Sequence, residues 1–229
     1  MAGTPQDADE WLEADGLGGF ASGTASGLRT RRYHGLLLCA LKPPQDRRLL
    51  VQGFVGWLET PNGRAELWPQ AYGGGYFGPC DATVEHFSSE PWPTWRLRTS
   101  LGPVLEVELF VPHGRPAVAL HFRLAEAWNE PVTLRVRPLL SGRDFHSLHR
   151  ENSAFHFEAQ RQGELLRFTP YPGAPAVQSL SNARFEAAPD WYRNFYYREE
   201  AERGLDATED LATPGVLELN LEFEKRELW

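Results

Sequence analysis

Lysine is nearly absent from this chain. Lys42 and Lys225 are the only two, so arginine makes up the other 21 of 23 basic residues. Acids number 31, and the net charge of −8 argues against a nonspecific nucleic-acid role, which needs a basic surface to meet phosphates. Cysteine is as scarce. Cys39 and Cys80 cannot build a disulfide framework, and Cys39, inside an apolar run, reads as a small buried hydrophobe. The longest apolar run, Leu36 to Leu41, is far short of the roughly 20 residues a membrane helix needs. The opening MAGTPQDADEW has no basic stretch leading into an apolar one, so no signal peptide is expected. These absences predict a cytoplasmic protein that binds neither membrane nor nucleic acid. Catalytic signatures are missing too: there is no G-x-S-x-G elbow, P-loop or H-E-x-x-H.

What the chain does have is apolar bulk in a period of two. Apolar residues make up 41%, with 8 Trp and 13 Phe, enough for a packed core. In VLEVELFV (104–111), Leu105, Val107, Leu109 and Val111 face one way and Glu106 and Glu108 the other. AVALHFRL (117–124), VTLRVRP (132–138) and LELNLEF (217–223) alternate in the same way. Turn signals separate these runs at Pro61-Asn62-Gly63, His113-Gly114, Asn129-Glu130-Pro131 and Gln162-Gly163. About a dozen short strands with no long helical period predict an all-β fold, a large antiparallel β-sandwich. Its length suits a single domain over residues 1–229. The stretch 190–215 departs from this pattern; it reads as a loop with one or two helical turns around Arg198 to Arg203.

The stretch GLGGFASGTASGLRTRRYHGLLL (16–38) raises the sharpest question. Gly16, Gly18 and Ala21 fit a dinucleotide fingerprint, G-x-G-x-x-A, but only EWLEAD stands before it, glycines and β-branched residues follow where a helix is needed, and LLLCA lies about 20 residues on where an acid is needed. The nucleotide reading is rejected, and the glycines are left to tight turns and close backbone approach. Arg31, Arg32, Tyr33 and His34 come next. If extended, Arg31 and Tyr33 share one face and Arg32 and His34 the other. A second polar cluster, SGRDFHSLHRE (141–151), closes an apolar strand; there Arg143 and Asp144 could pair with His146 beside them. His146 and His149 lie three apart, as metal ligands can, but without a helix or a third ligand no metal is assigned. A third cluster holds Arg203, Asp206, Glu209 and Asp210, whose acids could act as general acids or bases, although surface acids are usually only solvated. Trp11, Trp92, Trp95 and Trp191 could stack on sugar faces, or equally pack a core.

Taken together, the motifs resemble a family. EWLEADGLGGFASGTASGLRTRRYHGLLL is similar to the opening of the bacterial and archaeal glycogen debranching enzymes of the amylo-α-1,6-glucosidase type, with Asp15 in place of the more usual Asn. RDFHSL and WYRNFYYREEAERGLDATEDLATPG resemble two later signatures of that family, in the same order. The resemblance is to the N-terminal domain, a β-sandwich ahead of an (α/α)₆ barrel that carries the catalytic acids. It implies no catalytic residue and no cofactor here. The partners it implies are the catalytic barrel and glycogen or another α-glucan. The sequence ends at Trp229, where that barrel would begin, so the chain is expected to be either one domain of a longer enzyme or a protein without the barrel. Interface or sugar-contact candidates are Arg31, Arg32, Tyr33, His34, Arg143, Asp144, His146, Trp191, Tyr192, Arg203 and Glu209. The arginine and histidine groups border apolar strands, so they are expected to meet at one rim with at least one bidentate Arg–carboxylate pair to Asp144, Glu209 or Asp210. Two other readings stay open: an autonomous glycan-binding module, and, by analogy of fold, a mutarotase-like enzyme using His34, His146 and a glutamate.

Overall fold

The computed structural model describes residues 9–43 and 45–223. Its strands are β1 (Glu10–Ala14), β2 (Phe20–Thr24), β3 (Gly35–Lys42), β4 (Gln45–Thr60), β5 (Gly63–Glu66), β6 (Ala71–Tyr72), β7 (Tyr76–Phe77) and β8 (Ala82–Ser88). Then come β9 (Thr94–Thr99), β10 (Val104–Phe110), β11 (Ala119–Leu124), β12 (Val132–Asp144), β13 (Ala159–Gln162), β14 (Leu165–Phe168) and β15 (Val177–Leu180). The chain closes with β16 (Arg184–Tyr196), helix α1 (Arg198–Glu202) and β17 (Thr208–Leu221).

One ten-stranded antiparallel sheet runs β1-β2-β3-β4-β12-β17-β16-β6-β7, with β5 paired to β4. The four-stranded sheet β11-β10-β9-β8 packs on it through Trp95, Leu97, Leu105, Val107 and Leu109, which meet Trp11, Leu58, Leu134 and Val136. The three-stranded sheet β13-β14-β15 packs through Leu166, Phe168 and Val177 against Leu50, Leu140 and Ala212. Leu217 touches both cores, so the two smaller sheets lie side by side as one second layer. The result is the all-β sandwich expected from the alternation. The inward residues of 104–111 and 132–138 are those the period of two selects, and burying such faces drives the layers together. Phe54 joins the first core while Val55 joins a smaller cluster with Leu139, Phe195, Tyr72 and Tyr192. Neighbours on a strand point to opposite faces, so this cluster lies on the outer face of the large sheet.

Two stretches differ from expectation. Residues 25–34 form a looped connection, not a strand, with His34 N closing a turn on Arg31 O at 3.2 Å. The face-sharing expected of Arg31 to His34 therefore does not hold. Most of 190–215 is strand, at the end of β16 and the start of β17, and only the helical turn at α1 matches. The sequence hid these strands because aromatic and charged residues fall on both faces of β16 and β17 lies buried between β12 and β16, leaving no clean alternation.

The glycine stretch answers its question by geometry. Gly16 and Gly18 take φ of 75° and 95°, where other residues are strained. Asp15 is buried and its Oδ1 accepts from Leu17 N at 2.7 Å and Gly19 N at 2.9 Å. An asparagine supplies the same oxygen, so the Asp costs the turn nothing. A Cβ on Gly19 would lie 2.4 Å from the Leu38 carbonyl oxygen, which belongs to the backbone and cannot swing aside. Gly19→Ala is expected to lower stability by about 2 kcal/mol, read as a lower urea midpoint. An unchanged midpoint would show that β2 and β3 can separate there without cost.

Candidate functional site

Antiparallel order brings the end of β12, the end of β16 and the start of β17 to one rim. Phe195 pairs with Glu209 across β16 and β17, and Asp144 at the end of β12 pairs with Arg48 of β4. The loop before β3 reaches the same rim. Register slips along β12 shape it: Leu139 faces Gly53 but Leu140 faces Val51, so Gln52 is the extra residue of a bulge. A further slip precedes Arg143. Bulges of this kind re-aim side chains, and Gln52 and Arg143 both turn into the protein here.

Arg143 and Glu209 form the centre. Their side chains are 3% and 0% exposed. Arg143 Nε donates to Glu209 Oε1, and Nη2 donates to Oε2 at 3.3 Å, a bidentate pair. The remaining guanidinium hydrogens go to backbone carbonyls: Arg32 at 2.6 Å, Asp144 at 3.2 Å and Phe145 at 3.1 Å. Glu209 also accepts from His149 N at 3.0 Å and from the Tyr197 hydroxyl. Gln52 Nε2 donates to that hydroxyl at 2.8 Å and to the His34 carbonyl at 3.1 Å. Burial, with Glu209 alongside, holds the Tyr197 hydroxyl well above the usual phenol value, so it stays a donor. Each charge at this centre is matched, as a buried pair requires.

Around it, α1 offers acids to the loop before β3. Arg32 Nε lies 3.1 Å from Glu200 Oε2, an ion pair not aligned as a hydrogen bond. Arg32 Nη1 donates to His146 O at 2.8 Å and Nη2 to Asp206 O at 3.2 Å. Arg31 binds Glu10 through Nε at 2.5 Å and lies 3.4 Å from Glu199; the Glu10 bond raises its pKa. Arg203 holds Glu199 through the α1 carbonyl at 2.8 Å. His34 is buried, and its Nδ1 accepts from Thr30 N at 3.1 Å, leaving Nε2–H toward Glu10 at 3.3 Å. Burial lowers its pKa to about 4, against the pull of Glu10 and with the Arg31 and Arg29 charges adding to the lowering. His34 is therefore neutral at pH 7, with neither ring nitrogen free for a substrate. At the surface, the Tyr33 hydroxyl meets His146 Nδ1 at 3.1 Å, and Asp144 Oδ1 accepts from His146 N at 2.9 Å.

The rim thus gathers Arg31, Arg32, Tyr33, His34, Arg143, Asp144, His146, Arg203 and Glu209. Trp191 stands beside it, its ring 5.3 Å from that of His149. Tyr192, its neighbour on β16, points to the outer face and stacks on Phe195 at 6.4 Å, away from the cluster. Asp210 accepts from Asn194 N and Glu151 N instead of pairing with an arginine here. The tryptophans split as well. Trp11 and Trp95 are core, with their indole N–H groups donating to Thr24 O at 3.2 Å and Ala25 O at 2.9 Å, so neither is a sugar platform. Among the described residues no three His, Cys, Asp or Glu side chains gather as metal ligands. His149 has both nitrogens engaged, with Asp210 O and the Tyr171 hydroxyl. No helix among the described residues is long and apolar enough to cross a membrane.

Sequence reasoning missed Glu10, Gln52, Tyr197, Glu199 and Glu200. Glu200 had a signal, as the acid four residues before Gly204 in REEAERG; Gln52 had none, since a bulge leaves no mark in a strand. A family described as glycogen debranching enzyme N terminal has a model that matches residues 9–226. The chain belongs to this family. The match spans the loop before β3, the end of β12 and α1, so all the rim elements lie inside the family's domain. No curated protein and no solved structure matches the chain.

Proposed function

We propose that this chain is the non-catalytic N-terminal domain of a glycogen debranching α-1,6-glucosidase, one domain over residues 1–229. In this reading its arginine-rich rim docks the catalytic (α/α)₆ barrel, and Tyr33 and His146 lie on the side nearest the α-glucan. The observation that carries it is the division of labour at the rim. Arg143, Glu209 and Tyr197 form a buried, internally matched frame, and that frame presents half-buried Tyr33 and exposed His146 in one fixed arrangement. Fixed aromatic and arginine side chains suit an interface, because they need little ordering on contact.

The placement of catalysis elsewhere has its own support. Stub hydrolysis needs a carboxylic acid to protonate the leaving oxygen and a carboxylate to act on water or carbon. At the rim Glu10, Glu199, Glu200, Asp206 and Glu209 are each held by an arginine. An acid engaged in this way is not free to face a glycosidic oxygen. Glycogen as substrate also favours a cytoplasmic setting.

The isolated chain is expected to release no glucose from a limit dextrin. In a full-length enzyme, Tyr33→Ala combined with His146→Ala should lower kcat/KM on limit dextrin about tenfold. The same change should lower the isolated domain's urea midpoint only slightly, because His146 is exposed and Tyr33 only half-buried. Turnover by the isolated chain that disappears when one of its carboxylates is changed would overturn the reading. So would an equal loss of activity and domain stability in the double variant.

A further inference from the structure

Between the two layers, behind the loop that precedes β3, lies a cavity of about 70 Å³ whose lining includes Arg29, Gln52, Phe54, Trp68, Gln70 and Trp95. Its wall is mostly apolar. Three of its residues nevertheless carry a polar atom shut off from solvent with no hydrogen-bond partner: Arg29 Nε, Gln52 Oε1 and Trp68 Nε1. Gln52 and Trp68 are 1% and 8% exposed. Native proteins leave few such atoms, and each calls for an explanation. Here the three residues that carry them line one cavity.

Rearranging these side chains does not supply the missing partners. The Gln52 amide cannot be turned over, since its NH₂ already serves the His34 carbonyl, which only accepts. Arg29 is fixed on three sides. Its Nη2 donates to Gln70 Oε1, its guanidinium lies 4.9 Å over the Phe195 ring, and Nη1 occupies the space where a Cβ on Gly53 would sit 2.2 Å away. Among the described residues no carboxylate lies within ion-pair reach of Arg29. That sets it apart from Arg143, whose buried charge is met by Glu209. Burial pulls the Arg29 pKa down, with Tyr197, Tyr72 and the more distant Glu209 charge offsetting only part of it.

We propose that this cavity is an internal site for a small monovalent anion of halide or formate size, held by Arg29 Nε and Trp68 Nε1, with one water that donates to Gln52 Oε1. Volume and charge select this occupant. A water needs about 10–15 Å³ of such cavity space, so there is room for a small anion together with water. Water alone would satisfy the three atoms but leave the guanidinium with no counter-charge in contact, since Glu209 acts on it only from a distance. The anion would tie the loop to β4 and to Phe195 of β16. This inference does not depend on the docking reading, although Gln52 belongs both to the cavity wall and to the frame behind the rim.

The test is thermal unfolding at constant ionic strength, with gluconate exchanged for chloride, bromide or formate. Mass action predicts a Tm that climbs with the logarithm of anion concentration above the dissociation constant, by about 5 °C at roughly tenfold excess over it. Arg29→Met should abolish the rise. Trp68→Phe removes the indole N–H together with part of the ring; read against that variant's own Tm in gluconate, it should raise the apparent dissociation constant about tenfold, which keeps the idea testable if the Arg29 variant does not fold. Crystals grown in bromide should show its anomalous signal in the cavity. Equal Tm in all anions, a rise that persists unchanged in both variants as a general salt effect would, or water alone in the cavity at saturating bromide would each overturn the proposal.

Discussion

Glu209→Ala should cost about 3–5 kcal/mol of stability, the largest loss expected from any single change at the rim. The magnitude follows from what the change leaves behind. Arg143 would stay in a place where its side chain is 3% exposed, with its counter-charge gone. Tyr197 would lose the acceptor for its hydroxyl, and His149 the acceptor for its backbone N–H. A buried donor without an acceptor carries its full desolvation cost. Most of the loss is thus the penalty on the survivors and not the worth of the pair. The double variant Arg143→Met, Glu209→Ala separates the two, because it removes the charge along with its partner. Its destabilisation should fall well below the sum of the single changes, although the carbonyls of Arg32, Asp144 and Phe145 lose their donor. Urea midpoints with an unchanged m value are the measurement. A single variant that loses less than about 1 kcal/mol would mean that the centre is open to water, contrary to its burial.

The frame also shows where sequence stops being informative. Alternation in 104–111, 117–124 and 132–138 selected the inward residues, because a half-buried strand imposes a period of two on its own sequence. The meeting of the loop before β3 with the end of β12 was legible for a similar reason. Charged residues that border apolar strands must lie near strand ends, and antiparallel order collects those ends. Which acid faces which arginine was not legible. Glu209 was one of three nominated partners of Arg143, and only the β16–β17 register singles it out by setting it opposite Phe195. Gln52 was invisible, since its role depends on an extra residue in the register between β4 and β12. Tyr192 falls outside the cluster because 190–196 is strand and not the loop its sequence suggests, and on a strand it must point opposite to Trp191.

Acid should weaken this domain between about pH 6.5 and pH 4, and His34 should carry much of the loss. The ring is buried and neutral: Nδ1 accepts from Thr30 N at 3.1 Å, and Nε2–H faces Glu10. A proton added at Nδ1 would break the Thr30 bond, and the new charge would be buried beside Arg31 and Arg29. Burial first, then those arginines, hold the pKa to about 4 in spite of Glu10. In the unfolded chain the same ring titrates near 6.5. Between these values the unfolded state binds a proton that the folded state refuses, so stability falls as pH falls. His34 therefore contributes fully above about pH 6.5, and the contribution is lost on the way to about pH 4. The gap corresponds to about 3 kcal/mol. His149 is lowered by burial too and adds to the fall in the same direction. His34→Asn keeps an oxygen to accept from Thr30 N but removes the titration. Its urea midpoint should depend less steeply on pH between 6.5 and 4.5 than that of the parent, with the remaining slope left to His149 and the carboxylates. Identical slopes in the two proteins, or an NMR titration that finds His34 protonating near pH 6.5 in the folded state, would show that the ring is solvated and that the loop before β3 is not closed over it.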